Sequence, residues 1–122
     1  MGYRGADNIP YVTKNTALHE AGHALDAARG QTSNTWATWG LDLMYAMELD
    51  DYYSQTGNVT GWLSEMYAEA HSAWLYGRTN GLSKDDIADE ILYALKGGGK
   101  VTDWNLAEQI TRSMVTYFEG TL

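Results

Sequence analysis

The pentapeptide His19-Glu20-Ala21-Gly22-His23 limits what this chain can become more than any other feature. On a helix, residues four apart stand one turn above one another on the same face, so two imidazoles at this spacing can close on one ion. The glutamate between them points to the side. There it can reach a water held by the ion without binding the ion itself. Zinc in such a place acts as a Lewis acid and lowers the pKa of that water, while the glutamate takes the proton and passes it to a leaving amine. A lone histidine on a helix reads more simply as a core or surface residue. A pair with a glutamate between them, in a chain of three histidines, reverses that judgement.

The segment carrying the pentapeptide reads as a helix from about Asn15 to Arg29, capped by Thr13 or Asn15 and stopped by Gly30. A Trp-containing stretch then leads to a second helix, roughly Leu41 to Tyr53. A third runs from about Thr60 to Gly77. A fourth opens on the capping-box-like Ser83-Lys84-Asp85-Asp86 and closes at Gly97. The fifth is expected to be capped by Thr102 and to reach about Glu119, with Ala107, Ile110, Met114 and Phe118 at helical spacing. Ile9-Pro10-Tyr11-Val12 offers at most a short edge strand. The expectation is an all-α fold, a bundle of four to five helices around a zinc site, with any strand or hairpin marginal. At 122 residues, 1–122 reads as one domain.

Composition narrows the chemistry. There is no cysteine, so no thiolate site and no disulfide, and a metal must be held by histidine and carboxylate. The net charge of −8 repels phosphate, which argues against nucleic acid and anionic membrane surfaces and suits a neutral or basic peptide. Residues 1–10 lack the apolar stretch of a signal peptide, and no apolar run approaches a membrane span. A soluble protein, cytoplasmic by default, is expected. Five Trp and nine Tyr stand against one Phe. Such rings can line a cleft, but core with a polar tip is the simpler reading.

Two histidines do not complete a site. A histidine six residues past the motif would supply the third ligand, but Arg29 stands there. Resemblance to zinc peptidases of the gluzincin type implies instead a glutamate on a later helix, followed four residues on by a carboxylate that steadies the first histidine. The third helix carries Glu65-Met66-Tyr67-Ala68-Glu69. Glu65 and Glu69 share one face, and Trp62, Met66 and Ala73 flank it on the buried side. Buried carboxylates need partners, and a metal with an imidazole N–H would satisfy both.

The stretches Leu18 to Asp26 and Glu65 to Ala70 resemble the catalytic domain of the anthrax-toxin lethal-factor type, a group of gluzincin zinc peptidases that includes very small members. The resemblance covers about 60 residues of this sequence. It implies His19, His23 and Glu65 as zinc ligands, Glu20 as general base, Glu69 as the carboxylate behind a ligand, and a peptide or protein as substrate. Those peptidases place an oxyanion-stabilising tyrosine about two helical turns before the glutamate ligand. That place falls near Asn58, so the role passes to a neighbour, Tyr53 ahead of Tyr52. The small sheet that usually precedes the zinc helix has only about a dozen residues here to form it. A zinc-stabilised binding module without efficient catalysis is the alternative function.

Other side chains carry weaker expectations. His71 lies about 240° around the third helix from Glu65 and reads as a surface or second-layer histidine. Asp26 reads as structural. Asp85, Asp86, Asp89 and Glu90 read as a solvated face at a helix start. Trp36, Trp39, Tyr45, Tyr52 and Tyr53 either border the cleft or belong to the core.

Overall fold

The computed structural model describes residues 19–30, 35–49 and 59–120, and within them the chain forms five helices. These are α1 over 19–28, α2 over Ala37–Ala46, α3 over Val59–Thr79, α4 over Lys84–Lys96 and α5 over Trp104–Gly120. The fold is all-α. Among the described residues the only strand-like pairing is one isolated antiparallel bridge, Met47 to Val101, and no helix is long and apolar enough to cross a membrane. The expected edge strand and the N-terminal cap of α1 lie outside the described residues.

α4 forms where its sequence directs. The Ser83 hydroxyl accepts from the Asp86 N–H at 3.2 Å, Asp85 and Asp86 occupy the positive first turn, and Lys96 the last. Its buried face includes Ile87, Ala88, Ile91, Leu92 and Leu95, and Glu90 is buried among them. The solvated reading therefore suits Asp85 and Asp86, which are exposed, and fails at Glu90. Glu90 sits three residues after Ile87 and one before Ile91, on the apolar stripe.

α5 buries Ala107, Ile110, Met114 and Phe118 as the spacing predicts. Its cap differs. Asp103, not Thr102, accepts the Leu106 N–H at 3.0 Å, while the Thr102 hydroxyl donates to the Ala46 carbonyl at 2.9 Å. That contact also explains why α2 stops at Ala46 rather than Tyr53. The Thr102 and Asp103 N–H groups donate to the same carbonyl at 2.8 and 2.9 Å, and the Glu48 N–H donates to Lys100 at 2.8 Å. Pairing with a distant segment ends the helix, so no local signal marks it.

The interior is aromatic. The Phe118 ring lies 5.6 Å from Trp36, 5.4 Å from Tyr67, 5.4 Å from His71 and 5.6 Å from Trp74, centroid to centroid. Tyr67 and Tyr117 join hydroxyls at 3.0 Å across the same cluster. Trp36 is therefore core, and Trp39 packs partly buried against it. Tyr45, by contrast, is 80% exposed and shares an outward α2 face with Leu41 and Met44. Trp104 is also exposed, at the start of α5.

Two close approaches set the helices that matter for the site. A Cβ on Gly22 would lie 2.7 Å from the Ala68 α-carbon, so α1 rests with its backbone against α3. A Cβ on Gly40 would lie 2.5 Å from the Trp62 ring, which seats α2 beside the same helix one turn before Glu65.

Candidate metal centre

The crossing of α1 on α3 brings the two motifs face to face. His19 Nε2 lies 2.7 Å from Glu65 Oε1, His23 Nε2 lies 3.2 Å from the same oxygen, and the two Nε2 atoms are 3.1 Å apart. The imidazoles meet edge to face, at 4.7 Å between centroids. A tetrahedral zinc held at 2.0–2.1 Å would have donors about 3.3 Å apart, close to this triangle. Among the described residues, His19, His23 and Glu65 form a group that could hold a metal ion.

The protons make the same point. A carboxylate can only accept, so the 2.9 Å contact of His19 Nδ1 with Glu69 Oε1 places a proton on Nδ1. In a neutral imidazole that leaves a bare lone pair on Nε2, directed at the Glu65 oxygen and the second imidazole. A bare nitrogen and an anionic oxygen 2.7 Å apart repel unless a cation or a proton lies between them. Without metal a proton serves, and the hydrogen bond to Glu69 raises the His19 pKa above its ordinary value, assisted by Glu65 and opposed by burial.

The four side chains are between 16% and 27% exposed, so the group is sheltered but reachable by solvent. Glu20 is exposed on α1, about 100° around the helix from His19 and 60° from His23. No family model, curated protein or solved structure matches the chain. The geometry of the site is therefore what speaks for its chemistry.

The remaining residues sort cleanly. Tyr52 and Tyr53 lie outside the described residues. Asp26 is buried on the face of α1 that carries the two histidines but is not part of the ligand group. His71 is neither ligand nor surface. It is packed in the aromatic core, and burial lowers its pKa. One participant escapes the motif reading altogether: the Ser64 hydroxyl lies 3.2 Å from His23 Nδ1. The signal for it was position alone, one residue before a carboxylate ligand on the same helix.

Proposed function

We propose that this protein is a zinc-dependent endopeptidase of the gluzincin type. The observation that carries the reading is the convergence of His19 Nε2, His23 Nε2 and Glu65 Oε1 with Glu69 behind His19. Two nitrogens and one oxygen from three side chains, with no thiolate, suit a catalytic rather than a closed structural zinc site. Zinc bound there would supply a Lewis acid and acidify a bound water. The chain's own residues do the rest. Glu69 holds the His19 ring in the ligating tautomer. Glu20, beside the ligands and open to solvent, takes the water's proton and returns it to the leaving amine. Tyr53 is proposed as the donor to the developing oxyanion.

A zinc-stabilised binding module is the second reading. The outward face of Leu41, Met44 and Tyr45 favours it, because exposed large apolar side chains on one helix face commonly mark an interaction surface. Metal analysis of purified protein, run beside a peptide-library cleavage assay of wild type and Glu20→Gln, separates the two. The peptidase reading expects one zinc in each and cleavage by wild type alone. Full zinc with no cleavage by either leaves the binding module.

A further inference from the structure

Glu69 accounts for only one of the two imidazoles. A histidine that ligates through Nε2 needs an acceptor on Nδ1 as well, to fix its tautomer and hold its ring. We infer that Ser64 is the positioning residue of His23: its hydroxyl oxygen, 3.2 Å from Nδ1, accepts that proton and leaves the Nε2 lone pair facing the metal. This rests on the cluster being a metal centre.

The pairing follows from how the helices cross. His19 meets Glu69 while His23, four residues on, meets Ser64, so α1 and α3 run antiparallel through the site. On α3, Ser64 stands about 100° to one side of Glu65 and Glu69 about 40° to the other. One helix thereby offers an acceptor for His23, a ligand between, and an acceptor for His19. A helical serine can turn its own proton back to the carbonyl one turn earlier, which frees its lone pairs for the imidazole.

A hydroxyl also differs from a carboxylate in charge. Glu65 and Glu69 already bring two negative charges to a divalent cation. Serine orients His23 without adding a third. Hydrogen bonds to a neutral acceptor are roughly half as strong as those to a charged one. The loss from removing Ser64 should therefore fall toward the low end of the 10- to 100-fold range typical for such partners.

The test is zinc affinity by competition with a chromophoric chelator, in wild type and in Ser64→Ala, Ser64→Thr and Ser64→Val, with melting of each metal-free protein alongside. Thr keeps the hydroxyl and Val replaces it at nearly equal shape. Expected is affinity about tenfold weaker in Ala and Val, near wild type in Thr, with metal-free melting temperatures alike for Thr and Val. The ligand-field spectrum of the cobalt-loaded protein should shift in Val and stay in place in Thr. Affinity in Val matching that in Thr overturns the role of the hydroxyl while leaving the metal centre intact. A wild-type chain that takes up no metal overturns both.

Discussion

Gly22 rests directly on Ala68: a methyl group at Gly22 would sit 2.7 Å from the Ala68 α-carbon and 2.9 Å from its carbonyl oxygen. Gly22 lies between Glu20 and His23, and Ala68 between Glu65 and Glu69, so this close contact of the two helices falls inside both motifs. A mid-helix glycine costs about 1 kcal/mol relative to alanine. Here that cost is met by letting the α1 backbone approach until its histidines reach the α3 carboxylates.

Gly22→Ala should therefore separate the helices at the centre of the site. Its gain in helix propensity opposes an overpacking cost of about 1–3 kcal/mol. The metal-free melting temperature should change little or fall. Zinc affinity should drop at least tenfold, because the donor triangle opens. A titration of metal into Gly22→Ala that overlays wild type would show that the crossing does not set the site.

The proposed site residues divide by role. Glu65→Ala should abolish tight zinc binding, whereas Glu69→Ala should weaken it about 10- to 100-fold, since Glu69 acts through His19. Full occupancy in Glu65→Ala with loss in Glu69→Ala would reverse the two assignments.

Because the donors come from α1 and α3, metal should also staple those helices. At a free zinc concentration a hundredfold above Kd, binding adds about 2.7 kcal/mol. That corresponds to a melting temperature on the order of 10 °C higher than after chelation. Protein verified to have lost its metal, yet melting at an unchanged temperature, would contradict the coupling.

How much of this was legible depends on where each signal lives. His19 and His23 are legible because their spacing lies within one helix. Glu65 and Glu69 repeat that spacing beside the apolar Met66 and Ala73, and so announce an inward face. Gly22 was not read from the sequence, since its role is the close approach to Ala68 that only the packed helices show. Nor was Ser64, since a hydroxyl beside a carboxylate leaves no trace in charge or periodicity. The end of α2 was not either, because Lys100, Val101, Thr102 and Asp103 impose it from more than fifty residues away. Glu90 shows a weaker signal overridden: it resembled its acidic neighbours in type and the apolar stripe in position, and position decided.

Glu90 also gives a pH dependence with a definite sign. Burial pushes its carboxyl up to about 7 from an ordinary 4.5. In the unfolded chain it ionises near 4.5, so between there and 7 the folded state holds the extra proton, and stability falls as pH rises through that window. Above 7 both states are ionised and the penalty is complete. Glu90→Gln removes the charge and keeps the shape. It should melt several degrees higher than wild type at pH 8 and within about a degree of it at pH 4.5. Equal melting at both pH values would place no charge penalty at Glu90. His71 acts at the other end: burial lowers its pKa, so stability falls as pH drops below its unfolded value of about 6.5.

Turnover is the prediction furthest from the metal itself. Glu20 binds nothing in the ligand triangle, and holding zinc does not require a carboxylate beside the first histidine. If it is the base, Glu20→Gln should keep zinc content and melting temperature and lose about 10²–10⁴ in rate on unstructured peptides. Tyr53 makes a separate demand. An oxyanion donor is worth about 10²–10³ in rate, so Tyr53→Phe should reduce kcat by that order and leave zinc content alone. The two substitutions sort the mechanism between them. Loss in Glu20→Gln with none in Tyr53→Phe or Tyr52→Phe keeps the base and moves the oxyanion role to another group. Robust cleavage that survives in Glu20→Gln removes the base, and with it the reason to read the pentapeptide as catalytic rather than merely metal-binding.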